Sequence, residues 1–147
     1  AHRVLLRGAR PVVVTRNDNP LARKRRVSLQ ELAQQPWMMP RHSDFFRARI
    51  EGIFTRAGIA PPKPVIEYAL IIGSARFLIE RRDLVCAYYD SFIDAVLVDE
   101  KLAWLHAPDI SWNASSSVIY RRDTPLSPAA SRLVEFVRAA CAEHARR

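Results

Sequence analysis

The sequence has little cysteine and little glycine, and it has no long apolar run. Its 147 residues include two cysteines, Cys86 and Cys141, and only four glycines. The cysteines form no CxxC motif and share no ligand spacing with histidine, so free thiols in a reducing compartment, the cytoplasm, are expected. The scarcity of glycine argues against repeats and disorder, and the length fits one ordinary domain or one lobe of a larger one.

Signals for a membrane, a metal or common catalytic chemistry are also missing. No apolar stretch approaches the ~20 residues that a membrane-spanning helix needs, and the first residues have too short an apolar run for a signal peptide. The four histidines are scattered, without HxH or HExxH spacing, and there is no GxSxG, P-loop or GxGxxG motif. The sequence therefore predicts that the protein is not an enzyme, that it binds no metal and no cofactor, and that it has no membrane partner.

Acidic residues are scarce in the first part of the chain. Residues 1–60 hold twelve Lys and Arg against four Asp and Glu, whereas residues 61–147 hold eleven of each, so the net charge of +8 lies in the first part. The densest run is Arg23-Lys24-Arg25-Arg26. A solvated loop explains so short a run best, and binding of an anion, a protein partner or the DNA backbone is the alternative.

Strand and helix patterns alternate along the chain, which predicts an α/β fold, a three-layer sandwich with a mostly parallel sheet. Apolar or β-branched runs predict strands at residues 11–15, 37–39, 65–67, 83–88, 102–106 and 117–120. Helices are predicted after Ser28, after Ser43 or Asp44, over residues 69–81 and 91–98, and after Ser127. Ser28 and Glu31 form a capping box, and Gly58 supplies a left-handed helix stop. Residues 107–116 are predicted to form a loop, and the last helix is expected to bury one apolar face: Leu133, Val134, Val137 and Cys141.

Two stretches that follow β-branched strands carry a family resemblance. The first is Asn19-Pro20-Leu21-Ala22, then Val27-Ser28-Leu29-Gln30-Glu31-Leu32-Ala33 and Gln35-Pro36-Trp37. The second is Arg122-Asp123-Thr124-Pro125-Leu126-Ser127-Pro128-Ala129-Ala130, and Ala57-Gly58-Ile59-Ala60-Pro61 fits between them. In order and spacing these pieces resemble the effector-binding (substrate-binding) domain of LysR-type transcriptional regulators, over residues 10–137.

The resemblance implies a fold like that of type 2 periplasmic binding proteins, with two lobes joined by two crossover strands. Residues 16–116 would form the second lobe, residues 10–15 and 117–121 the crossover strands, and residues 122–147 a helical segment that returns to the first lobe. The hinge would then include Val14, Thr15, Val118 and Ile119. The chain is expected to be the C-terminal part of such a domain, without most of the first lobe and without the DNA-binding helix-turn-helix.

The candidate effector site lies where two predicted strands end. Arg41, His42, Ser43 and Asp44 lie between a strand and a helix amino terminus, where backbone N–H groups and the helix dipole favour an anion. Plain capping by Ser43 or Asp44, with Arg41 in solvent, is the alternative. The next strand ends in a second group of candidate residues, Tyr68, Ala69 and Leu70. Tyr68 fits a ligand contact and a core-edge position equally well, whereas Cys86 is expected to fill the core.

The function that the resemblance implies is effector sensing. A small anionic metabolite would bind in a cleft between the lobes and shift the equilibrium between two conformations, and that shift would reach an attached DNA-binding domain. The family implies a homo-oligomer, a dimer or tetramer, and DNA contact only through the missing helix-turn-helix. The alternatives are a solute-binding protein or small-molecule enzyme of the same architecture, and direct nucleic-acid binding by the basic part.

Overall fold

The computed structural model describes residues 2–41, 44–69, 79–80, 83–90, 101–121 and 123–144. The chain divides into two compact units, one of Ala1–Ala9 with Asn113–Arg147 and one of Arg10–Trp112. The strands are β1 (His2–Ala9), β2 (Pro11–Arg16), β3 (Trp37–Pro40), β4 (Pro64–Tyr68), β5 (Val85–Tyr89), β6 (Leu102–Leu105) and β7 (Ala114–Tyr120). The helices are a 3-10 turn (Pro20–Arg23), α1 (Leu29–Ala33), α2 (Phe45–Arg56) and α3 (Pro128–His144).

The unit formed by Arg10–Trp112 is built on a five-stranded sheet in the order β4-β3-β5-β2-β6. β3 is parallel to both of its neighbours, β4 and β5. β2 is antiparallel to β5 and to β6. Four strands therefore run in one direction, as the α/β prediction requires. The strand β2 was predicted, but its direction was not: it runs opposite to the other four strands and makes two of the four pairings antiparallel.

Local signals in the sequence explain where α1 and α2 begin and end. The Ser28 hydroxyl accepts from the Glu31 amide and the Glu31 carboxylate accepts from the Ser28 amide, so the predicted capping box is present. Asp44 caps α2 by accepting from the Phe46 amide at 2.7 Å. Gly58 follows α2 with a φ of 71°, the left-handed conformation that only glycine adopts without strain. These three predictions are confirmed.

The sheet carries a buried cluster on each face. On one face the strand residues Trp37, Met39, Val85 and Ala87 pack with apolar side chains of α1 and α2. The other cluster holds side chains that alternate with these along the strands, together with Ile79: Val14, Met38, Leu84, Cys86, Tyr88 and Leu102. The predicted strand at residues 37–39 and the core position of Cys86 are confirmed. The predicted helix at 91–98 and most of that at 69–81 lie outside the described residues.

The other unit contains β1, β7 and α3. β1 and β7 form a two-stranded antiparallel sheet. The sequence did not predict β1, and β7 begins at Ala114, inside the stretch that was predicted to be a loop. α3 starts as predicted, with Pro128 at its first position and the Ser127 hydroxyl accepting from the Ala130 amide at 3.2 Å.

The predicted apolar face of α3 needs a correction. Val134, Val137 and Cys141 are partly buried, as expected. Leu133, however, is 62% exposed, and Phe136 is 72% exposed. Leu133 precedes Val134 by one position, which rotates it about 100° around the helix axis and away from the side that packs on β1.

The four predicted hinge residues lie inside strands. Val14 is fully buried in β2, and the hydroxyl of Thr15 donates to the Leu84 carbonyl oxygen at 3.0 Å. Val118 and Ile119 pair with β1. The chain passes between the two units next to Ala9 and Trp112, and each predicted crossover strand lies within one unit. A hinge role for these four residues stays a prediction.

Candidate functional site

Three parallel strands of the five-stranded sheet end at one edge. β3 ends at Pro40, β4 at Tyr68 and β5 at Tyr89. Because the carboxyl ends of parallel strands meet at the same edge of a sheet, the residues that follow them are brought together there. Arg41 follows β3 at this edge and Asp44 precedes α2, and these two are the described residues of the β3–α2 loop.

Backbone hydrogen bonds join the two groups of predicted site residues. The Arg41 amide donates to the Tyr68 carbonyl oxygen at 3.0 Å, and the Asp44 amide donates to the Arg41 carbonyl oxygen at 2.9 Å. The structure therefore brings Arg41, Asp44 and Tyr68 together, with Ala69 following Tyr68. His42, Ser43 and Leu70 were also predicted to belong to the site, and they lie outside the described residues.

The charge around the β3–α2 loop suits an anion near Arg41. The Arg41 side chain is exposed, and no acidic side chain among the described residues forms an ion pair with it. The first turn of α2 adds backbone N–H groups and the positive end of the helix dipole. The Asp44 carboxylate already accepts from one of these groups, the Phe46 amide. Asp44 is therefore a helix cap, which was the alternative interpretation of this residue.

Tyr68 lies between the edge and a buried polar cluster on the second face of the sheet. The cluster holds the Cys86 thiol and the Tyr88 hydroxyl, which are neighbours, and among the described residues the buried Tyr88 oxygen has no hydrogen-bond partner of regular geometry. Burial raises the pKa of Cys86 to about 12, and burial also raises the pKa values of Tyr68 and Tyr88. Burial therefore favours the protonated thiol, which agrees with the expected core position of Cys86.

Three aromatic side chains pack together beside the same edge, and the sequence did not predict this cluster. Phe46 meets Tyr89 and Trp112 edge to face, with ring centroids 4.8 and 5.2 Å apart. The Trp112 indole N–H donates to the Tyr89 hydroxyl at 3.4 Å. No local pattern predicts this cluster, because its members come from a helix, a strand end and a loop that are far apart in sequence.

The basic run at residues 23–26 is a surface loop, which confirms the favoured interpretation. All four side chains are exposed. Lys24 forms an ion pair with Glu31, and Arg26 forms one with Asp109 at 3.2 Å. Two of the four charges are thus paired within the same unit, which reduces the positive field available to a phosphate backbone.

Neither a metal cluster nor a membrane span is present in the part of the chain that the structure describes. No three His, Cys, Asp or Glu side chains there are grouped so that they could hold a metal ion. None of the helices over those residues combines the length and the apolar character that crossing a bilayer requires.

The sequence matches the LysR substrate binding domain over residues 2–142. The chain belongs to this family. The match spans both units, and it favours the regulator over the solute-binding and enzyme alternatives. No curated protein matches the sequence at a significant level.

Solved structures of regulators share the fold of this LysR substrate-binding domain. The regulatory domain of CcmR from Synechocystis PCC6803, in complex with 2-PG, is similar with a TM-score of 0.74 and 14% identity, over 95% of this chain and 66% of that one. A transcriptional regulator from Vibrio parahaemolyticus is similar with a TM-score of 0.78 and 19% identity, over 99% and 67%.

The effector binding domain of QuiR in complex with shikimate is a third similar structure. It has a TM-score of 0.75 and 16% identity, and the match covers 97% of this chain and 66% of that one. The chain thus spans about two thirds of the length of these three structures. At these identities the similarity shows the fold, and the ligands belong to the neighbours.

Proposed function

We propose that this LysR substrate-binding domain senses a small anionic metabolite at the carboxyl edge of its five-stranded sheet. The observation that carries the proposal is the β3–α2 loop, where exposed Arg41 lies next to the amino terminus of α2. Arg41 offers a guanidinium without an acidic partner among the described residues, and α2 offers backbone donors. The loop is fixed to β4 through the Arg41–Tyr68 hydrogen bond.

The chemistry of this edge favours a carboxylate or phosphate group with a hydroxyl group nearby. The anionic group would accept from the Arg41 guanidinium and from an amide in the first turn of α2. The Asp44 carboxylate disfavours a second negative charge beside it, but it is an acceptor for a hydroxyl group. The ligands in the two liganded neighbours, 2-PG and shikimate, support a small effector for this chain as well.

Regulation would follow from different effector affinities in two conformations. A ligand shifts a conformational equilibrium only as far as it binds one state more tightly than the other. In the whole regulator, that shift would change DNA binding through a helix-turn-helix outside this chain, in a dimer or tetramer located in the cytoplasm. Val14, Thr15, Val118 and Ile119 remain the proposed hinge.

A thermal-shift screen with small carboxylates and phosphorylated carboxylates tests the proposal, and shikimate is one of its probes. The strongest binder is then titrated against the Arg41→Gln variant. Removing one charged hydrogen bond to the ligand should weaken binding about tenfold or more. Arg25→Gln is the matched control, since Arg25 is also exposed but lies in the basic run.

Two results would contradict the proposal. One is the absence of any stabilising compound when the screen is run on the full-length regulator. The other is an equal loss of affinity in the Arg41→Gln and Arg25→Gln variants, which would indicate a general charge effect instead of a site at the β3–α2 loop.

A further inference from the structure

Arg47 is a buried cation in the first turn of α2. Its side chain is 8% exposed, whereas arginine is almost never fully buried unless it is paired. Removing a guanidinium from water costs free energy, and that cost is offset only by close partners. Arg47 therefore needs specific acceptors, and the structure supplies three.

The three acceptors of Arg47 come from three different elements. Its Nε atom donates to Glu51 of α2 at 2.7 Å. Its Nη1 atom donates to the Pro40 carbonyl oxygen at the end of β3, at 3.2 Å, and to the Glu67 carboxylate on β4. Burial lowers the pKa of Arg47, but its hydrogen bonds to the two carboxylates outweigh burial and raise the pKa overall. The cation is thus held in the charged form.

Two of these three partners immediately precede residues of the proposed effector site. Pro40 immediately precedes Arg41, and Glu67 immediately precedes Tyr68. A single guanidinium therefore links the end of β3, the end of β4 and the start of α2, directly before the point where the Arg41 amide binds the Tyr68 carbonyl oxygen. We infer that Arg47 is a positioning residue, which holds the two described residues of the β3–α2 loop, Arg41 and Asp44, at a fixed distance from β4.

The guanidinium is suited to this role because it donates in several fixed directions at once. A lysine ammonium at the same place would keep the charge but would lose the planar arrangement of donors. A neutral side chain would leave Glu51 and Glu67 without their cation, and the Pro40 carbonyl oxygen without this donor. The inference rests on the proposed function only where it identifies the β3–α2 loop as the effector loop.

Amide hydrogen exchange on the full chain tests the inference without any effector. The amides of Arg41 and Asp44 report on the loop, and the amide of Val85, which donates to the Pro36 carbonyl oxygen at 2.9 Å, reports on the buried sheet. In Arg47→Met, exchange at Arg41 and Asp44 should increase about tenfold more than exchange at Val85. Arg47→Lys should recover part of that difference, and Arg56→Met is the control for losing an exposed arginine from α2.

The acceleration at Arg41 and Asp44, divided by the acceleration at Val85, distinguishes a positioning role from general stability. Equal acceleration at all three amides would show that Arg47 contributes only general stability, and no acceleration at Arg41 and Asp44 would also overturn the inference. If Arg47→Met does not fold, Glu67→Gln decides by the same ratio, because it weakens the link to β4 while Arg47 stays paired with Glu51. A failed effector screen would leave this result standing, so the two proposals fail separately.

Discussion

Glu31 joins local helix capping to the basic run. Its carboxylate accepts from the Ser28 amide at 2.9 Å and from the Ser28 hydroxyl at 2.7 Å, and it forms an ion pair with Lys24. The hydrogen bond from Lys24, followed by those from Ser28, lowers the pKa of Glu31 from 4.5 to about 2. One acidic side chain thus stabilises the start of α1 and neutralises part of the basic loop.

This lowered pKa predicts a pH-dependent contribution to stability. A carboxyl group with a lower pKa in the folded state stabilises the fold above its unfolded pKa, and the contribution is lost as the pH falls from about 4.5 to about 2. The Glu31→Gln variant should therefore lose less stability than the wild type across that window. Urea unfolding at a series of pH values measures this, and parallel curves for the two proteins would contradict it.

Tyr88 and Tyr89 provide a matched pair of hydroxyl deletions. The Tyr88 hydroxyl is buried and has no hydrogen-bond partner of regular geometry in the described part of the chain, so Tyr88→Phe should leave the free energy of unfolding unchanged or raise it by up to about 1 kcal/mol. The Tyr89 hydroxyl accepts from Trp112, so Tyr89→Phe should lower it by roughly 0.5–1.5 kcal/mol. Chemical denaturation compares the two variants, and a greater loss in Tyr88→Phe would show that its hydroxyl has a structural partner.

Among the secondary-structure elements, α3 shows that an apolar pattern alone does not determine which side chains are buried. Val137 is partly buried, and Leu133 is 62% exposed. Val137→Asp should destabilise the fold by about 2 kcal/mol or more, because it places a charge on the side of α3 that packs on β1. Leu133→Asp should cost less than half as much. Thermal melting followed by circular dichroism distinguishes them, and equal losses would place Leu133 in a buried contact.

Elements with a local cause were predictable from the sequence. The capping box at Ser28, the cap at Ser127 and the left-handed Gly58 each depend on residues a few positions apart. β1 was missed because its run, from His2 to Ala9, shows no alternation of apolar and polar residues, and the described strand that pairs with it, β7, lies at the other end of the chain. Such pairing across the whole chain leaves little local trace.

The candidate site was predictable in part for the same reason. Arg41 and Asp44 follow a strand and precede a helix, which is a local signal, and the parallel sheet then brings Tyr68 beside them. Arg47 and the cluster around Phe46 were not predictable. The burial of Arg47 depends on Glu67 in another strand, and Phe46 meets Tyr89 and Trp112 only in the folded chain.

For the molecule as a whole, two observations support an effector-sensing domain. The family match covers residues 2–142, and the sheet around Arg41 presents the carboxyl ends of three parallel strands at one edge. The family match shows that the chain is a LysR substrate binding domain. The edge of the sheet supports the proposed position of the effector site. The antiparallel direction of β2 was not predicted, but it leaves that edge in place.

A titration followed by two-dimensional amide NMR shows whether an effector binds at the β3–α2 loop. The carboxylate or phosphorylated carboxylate that stabilises the full-length regulator most is added to the isotope-labelled protein, and the shifts of the backbone amides are mapped. We expect the largest shifts at Arg41, Asp44, Tyr68 and Ala69, with small shifts in β6. Large shifts confined to β6 or α3, with none in the β3–α2 loop, would contradict this expectation.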